Sequence, residues 1–154
     1  MNGLQMMLES MDFECQAKDG YIIASSGRIN DEIRALCDDT NGDYCDQIRF
    51  IVWYDGHIKY EERGERLLRI RIPTPVPELP EEIKYKICSD VNLHIKIGRF
   101  NGENMIPHVE WACFVNGEVD RKSIEQAMVH LGESFVVASK VIKRATEWFK
   151  KSPR

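Results

Sequence analysis

Between Ile124 and Phe149, apolar side chains return at alternating steps of three and four: Ile124, Met128, Leu131, Phe135, Ala138, Ile142, Ala145 and Phe149. That is the period of a helix, so the run from Asp120 to Lys151 is predicted to be one long amphipathic helix with a full-length buried stripe. Asp120 supplies the N-cap oxygen. Gly132, in the interior, costs about 1 kcal/mol relative to alanine. Burial of even five large stripe residues, at roughly 1.5 to 3 kcal/mol each, outweighs that penalty. Such a helix needs a layer to lie on, and the residues before it supply strands.

Immediately upstream, Ile95 and Ile97 alternate into Arg99-Phe100, Asn101-Gly102-Glu103-Asn104 turns the chain, and Val109 to Val115 returns as a partner strand. Trp111, Cys113 and Val115 share one side of that strand; Ala112 and Phe114 share the other. Earlier, Ile48 to Tyr54 and His57 to Glu62 are β-rich runs joined by Asp55-Gly56, a dipeptide suited to a two-residue type I′ turn. Closing that turn sets Trp53 against Ile58, Ile51 against Tyr60 and Arg49 against Glu62. A loop at Arg63-Gly64-Glu65 then adds a third strand, Leu67 to Ile72, with Arg69 and Arg71 outward. Pro73, Pro75, Pro77 and Pro80 forbid regular pairing and form a stiff connector. Pro80, Glu81 and Glu82 open a middle helix to about Asn92, with Ile83, Ile87 and Val91 inward.

At the front, Leu4, Met7, Leu8 and Met11 line one side of a short helix, and Glu14 to Ala17 and Tyr21 to Ala24 flank a turn at Lys18-Asp19-Gly20. The pattern is weakest from Ile29 to Asp46. There Ile33, Leu36 and Cys37 predict one helical turn behind Asn30 or Asp31, followed by a loop from Cys37 to Asp43. The expected architecture is a single α+β domain over residues 1–154. An antiparallel sheet of about five strands is packed by an N-terminal, a middle and a long C-terminal helix.

A chain of 154 residues, 43% of them hydrophobic, can bury a core. Its net charge of −4 argues against a phosphate backbone as partner, so nucleic acid is not expected. The cysteines at 15, 37, 45, 88 and 113 form an odd set without a C-x-x-C pair, and MNGLQMMLESMDFE lacks the regions of a signal peptide. Both point to reduced thiols and a cytoplasmic protein. No apolar run approaches the roughly 18 residues of a bilayer span, so no membrane association is expected.

Cys113 and His108 lie close in sequence, but Cys113 shares the side of Trp111 and Val115, where a thiol is a buried hydrophobe rather than a nucleophile. The histidines at 57, 94, 108 and 130 lack zinc-ligand spacing. The acidic residues Asp38, Asp39, Asp43 and Asp46 lack EF-hand spacing, and no phosphate loop occurs. No catalytic, cofactor or metal residue is assigned.

Surplus apolar surface is the remaining signal. Val129, Val136, Val137, Val141 and Trp148 form a second strip on the last helix, more than one sheet face needs, which predicts a partner or subunit contact, a homodimer being one form of it. In the sheet, alternation puts Phe50, Val52, Tyr54 and Phe114 opposite a face carrying Trp53 and Trp111, and the pattern alone leaves open which face is core. The residues assigned to partner contact are Phe50, Val52, Tyr54, Phe114, Val137, Val141 and Trp148. The function expected is non-enzymatic protein binding, chaperone-like or regulatory. The alternative is a small-molecule or anion pocket between the sheet and the last helix, clamped by Arg69, Arg71 and Arg99.

The order helix, three-stranded meander, helix, two strands, long helix resembles the fold of type III secretion chaperones. The span from Asp90 to about Lys143 is similar to the YbjN family, which shares that fold. The likeness is carried by Val91-Asn92, Gly98-Arg99-Phe100, the strand Val109 to Val115, and Val119-Asp120 followed by Ile124, Ala127 and Leu131. The insert from Ile29 to Asp46 and the proline-rich connector depart from the family pattern. YbjN-like proteins are described as sensory transduction regulators without a settled enzymatic role. The resemblance therefore implies a cytoplasmic, non-catalytic and dimeric module.

Overall fold

The computed structural model describes residues 2–38, 43–102, 106–116 and 120–152. Among these, helix α1 (Asn2–Ser10) precedes strands β1 (Glu14–Ala17) and β2 (Ile22–Ser25), and helix α2 (Gly27–Cys37) leads through a 3-10 turn (Cys45–Gln47) to β3 (Phe50–Asp55). A short helix α3 (Ile58–Glu62) separates β3 from β4 (Arg66–Pro73). Helix α4 (Glu81–His94), strands β5 (Arg99–Asn101) and β6 (His108–Val115), and helix α5 (Arg121–Lys151) complete the chain. The α+β class is as expected, with six strands rather than five in one antiparallel sheet of order β1-β2-β3-β4-β6-β5. No described helix is long and apolar enough to cross a membrane.

Helix α5 begins at the expected cap. Asp120 Oδ1 accepts from the Lys122 N–H at 3.1 Å and Oδ2 from the Ser123 hydroxyl at 2.7 Å. The Ser123 hydroxyl, ahead of the backbone N–H groups, holds the carboxyl below its usual range. Ile124, Met128, Leu131, Phe135, Ala138 and Ile142 are buried as the stripe predicts, against the inward row of β4 and β6. The register aligns Ile22, Val52, Ile70 and Trp111 across four strands. Because side chains alternate along a strand, these residues and their neighbours two positions away face the helices.

That register corrects the assignment of faces. Trp53 pairs with Arg69, which pairs with Ala112, so Trp53 and Trp111 lie on opposite sides of the sheet. Phe50 and Val52 are fully buried in the core, with Phe13 edge-on to Phe50 at 5.9 Å between ring centroids, and neither is available for partner contact. The expected hairpin at Asp55-Gly56 does not form either. Left-handed backbone falls at Gly64 (φ 68°) and not at Gly56, which a type I′ turn would require. The run Lys59 to Glu62, rich in helix formers, makes a helical turn capped by His57 Nδ1, which accepts from the Lys59 N–H at 3.2 Å. β4 is thereby free to pair directly with β3.

Two further expectations shift. The weak region behind β2 forms a helix of three turns, capped by Ser26 Oγ, which accepts from the Ile29 N–H at 3.2 Å, rather than one turn behind Asn30 or Asp31. It buries Ile29 and Ile33 but leaves Leu36 exposed. Of the loop predicted from Cys37 to Asp43, residues 39–42 lie outside the described residues, as do Glu103, Asn104 and Val119. Ile95 and Ile97 pack against the core without extending β5, which has three residues.

Gly132 has a tertiary reason. A Cβ there would stand 2.7 Å from Ile33 Cγ1 and 3.2 Å from Cγ2, so the absent side chain is what lets α2 and α5 approach.

Candidate functional site

Helices α4 and α5 pack together on the covered side of the sheet. They run antiparallel, as the contacts at each end show. Just past the end of α4, the Ile97 carbonyl accepts from Ser134 Oγ at 2.8 Å and Lys96 Nζ lies 3.6 Å from Glu133 Oε2. At the start of α4, Glu82 and Ile83 share a groove with Ala145 and Trp148. This groove has a volume of about 880 Å³. From Val137 to Trp148 it follows α5 for roughly 17 Å, at about 1.5 Å per residue, the length of three helical turns.

Its lining is apolar toward the core and charged at the rim. Ile83, Ile87, Val137, Val141 and Ala145 are buried or half-buried, while Glu82, Lys86, Asp90 and Arg144 border them. Trp148 is 64% exposed. Three sequence-assigned contact residues, Val137, Val141 and Trp148, are thus brought together. The rest of the second strip divides. Val136, one turn beyond Gly132, is buried, and Val129 lines a charged cleft with Arg28, Glu32 and Glu125. In that cleft Arg28 is committed to Glu125 Oε1 at 2.6 Å and to Asp12 Oδ2 at 3.3 Å, and the Glu125 hydrogen bond raises the guanidinium's pKa.

The sheet-based candidates do not form one surface. Tyr54 sits half-buried on the inward row at the sheet end, with the Arg66 guanidinium 4.3 Å from its ring centroid. Phe114 projects from the other face, 56% exposed, with Tyr60 of α3 edge-on at 5.1 Å. The arginine clamp is also relocated. Arg69 and Arg71 alternate with Leu68, Ile70 and Ile72 and so lie on the face away from α5. There both bind Glu110: Arg69 Nη1 donates to Oε2 at 2.9 Å and Arg71 Nη2 to Oε1 at 2.8 Å. Arg69 Nε also donates to Asp55 Oδ2 at 3.1 Å, and the Arg71 guanidinium lies 5.0 Å from the Trp53 ring centroid. These cations are matched within the fold and form no pocket with the last helix.

The outer edge of β5 is closed as a docking route at its central residue. Asn92 of α4 accepts from the Phe100 N–H at 2.8 Å and donates to the Phe100 carbonyl at 3.0 Å, so one amide satisfies both groups of the central β5 residue. A strand cannot be added there without displacing it.

Cys113 and His108 do not meet. Five positions apart on β6, they point to opposite faces and stand roughly 17 Å apart along the strand. Burial raises the Cys113 thiol above its ordinary pKa, and burial also raises that of Cys15, helped by Glu9. His108 is buried with Nδ1–H donating to the Ile106 carbonyl at 2.8 Å. Burial lowers its pKa from the ordinary 6.5, the nearby Arg71 adds to the lowering, and the Ile106 carbonyl and Glu110 oppose it. The unfolded chain therefore takes up this proton at a higher pH than the folded one. This contribution to stability is complete above pH 6.5 and declines as pH falls toward the folded pKa. Urea midpoints are expected to drop between pH 7.5 and 5.5, and to drop less in His108→Gln. An equal drop in both proteins would assign the effect to other groups.

Sequence reasoning assigned Ile83 and Ile87 only an inward role and passed over Lys86, Asp90 and Arg144. The available signal was the four-residue spacing of opposite charges Glu82, Lys86 and Asp90 on α4. No protein-family model matches the chain, and no curated protein is similar to it in sequence.

Proposed function

We propose that the chain is a non-enzymatic, cytoplasmic protein-binding module, YbjN-like and chaperone-like or regulatory in role, whose docking surface is the α4–α5 groove. The observation that carries this reading is the groove itself, about 880 Å³, with an apolar floor, a charged rim and the exposed indole of Trp148. An apolar channel three turns long between two helices suits the apolar face of a third helix, and buried aromatic anchors dominate the energy of such contacts. Among the described residues four strands, β1 to β4, precede α4, and the run His57 to Glu62 that completed the expected three-stranded meander is helix α3, so the likeness to type III secretion chaperones rests on the sequence resemblance.

Paired affinity capture tests the reading. Because Trp148 is largely exposed, Trp148→Glu is expected to leave the melting temperature within about 2 °C while weakening a groove-bound partner at least tenfold. A partner held equally by both proteins would overturn the groove assignment. So would a small anion, such as phosphate or a dicarboxylate, that raises the melting temperature of the wild type but not of Trp148→Glu.

A further inference from the structure

On the reading of the α4–α5 groove as a protein-docking surface, we propose that its occupant is an acidic amphipathic helix of another protein, apolar along the groove floor and carboxylate-bearing along the α5 wall. The argument begins with where charge lies around the last helix. Val137, Val141, Arg144, Ala145 and Trp148 are the part of α5 that lines the groove. Beside them Lys140, Arg144, Glu147 and Lys151 recur at steps of four, three and four, the spacing that keeps residues on one face of a helix. Arg144, Glu147 and Lys151 are exposed, and Lys140 is half-buried with its ammonium 6.0 Å from the Tyr44 ring centroid. Cations thus dominate the border of the apolar floor on a chain whose net charge is −4. Among the described residues none of Lys140, Arg144 and Lys151 forms an ion pair, whereas Arg28, Arg34, Arg69 and Arg71 all do.

The opposite wall selects little. Glu82, Lys86 and Asp90 follow one another at four-residue steps along α4, so each acid has the lysine one turn away and their fields largely offset. Discrimination therefore rests with α5. A helix laid in the groove presents its apolar stripe to Ile83, Ile87, Val137 and Val141, and its flank then comes to lie beside Lys140, Arg144 and Lys151. Carboxylates on that flank meet cations that the fold leaves unmatched. Lysines there would meet the same cations with water displaced, where repulsion is stronger than in solvent. The charge pattern also argues against an anionic lipid surface as the occupant. A bilayer is too broad to enter a channel between two helices, and Glu81, Glu82 and Asp90 along α4 would face its phosphates.

Fluorescence anisotropy on the full chain tests this with two labelled peptides of about 14 residues, enough to span the groove at about 1.5 Å per residue. The peptides share one leucine stripe and differ only in a flank of glutamates or of lysines. The glutamate peptide is expected to bind at least about tenfold more tightly at low salt, and the gap to narrow as salt is raised. The double variant Arg144→Glu with Lys151→Glu changes exposed side chains and is expected to reverse that order while keeping the melting temperature within about 2 °C. Lys143→Glu with Lys150→Glu makes an equal change of net charge about 100° round the helix axis, and is expected to leave the order as in the wild type. Equal affinity for the two peptides, a tighter lysine peptide, no binding of either, or the same response in both double variants overturns the acidic helix. The docking reading itself still stands if Trp148→Glu loses a captured partner. Sedimentation with phosphatidylglycerol vesicles that the Arg144→Glu with Lys151→Glu variant loses would give this face to a lipid surface and overturn the proposal. Self-association that Trp148→Glu abolishes would put a second copy in the groove, with the same result.

Discussion

Phe50→Ala is expected to destabilise the protein by about 3–5 kcal/mol, a large share of the roughly 5–15 kcal/mol that a domain of this size holds. The ring is fully buried, sits beside Ala24 in the register and meets Phe13 edge-on, so truncation leaves a cavity that Ala24 on β2 and Phe13, between α1 and β1, cannot fill. Phe114→Ala, on the opposite face of the same sheet and 56% exposed, is expected to cost under about 1 kcal/mol. Urea denaturation of the two variants side by side makes the comparison. Similar losses, or a greater loss at Phe114, would mean that the two faces have been exchanged.

Gly132→Ala is the second large effect, and its sign is the informative part. Helix propensity alone predicts a gain of about 1 kcal/mol, because glycine is costly inside a long helix. The structure predicts the reverse, a net loss of about 1–2 kcal/mol from overpacking. Ile33 is fully buried and branched at Cβ, so its side chain cannot swing aside for the new methyl group, which would stand 2.7 Å from Cγ1. In an Ile33→Ala background the same change is expected to become neutral or stabilising, and a double-mutant cycle on urea midpoints reads that coupling directly. Stabilisation by Gly132→Ala in the otherwise wild-type chain would refute the close approach of α2 to α5.

How much of this was readable in advance depended on the range over which each pattern is decided. The last helix is legible almost to the residue, because its apolar period repeats from Ile124 to Phe149 and Asp120 stands where a cap belongs. β6 and α4 are legible for similar local reasons. His57 to Glu62 is not: six residues with apolar groups at alternate positions suit a strand, and only the left-handed backbone at Gly64 shows that the chain turns there. The faces of the sheet were misjudged for a longer-range reason. Trp53 and Trp111 sit on strands that never touch, and their relation is set through β4, whose register with both is a tertiary fact. The groove has the same character. Val137, Val141 and Trp148 were visible as surplus on α5, but the wall opposite them comes from α4, some fifty residues earlier, and no local period announces that pairing.

The Asn92 amide at β5 bears on how this molecule can go wrong. A side chain standing in for the next strand occupies the outward groups of Phe100, so a copy adding a strand at β5 would have to displace it, whereas the β1 flank carries no such plug among the described residues. There, a four-residue strand that begins at Glu14 and is followed by Lys18 offers a short template with a charge at each end. Crowded in solution, copies of the protein would therefore meet a plug at β5 and brevity and charge at β1 before they could join strand to strand.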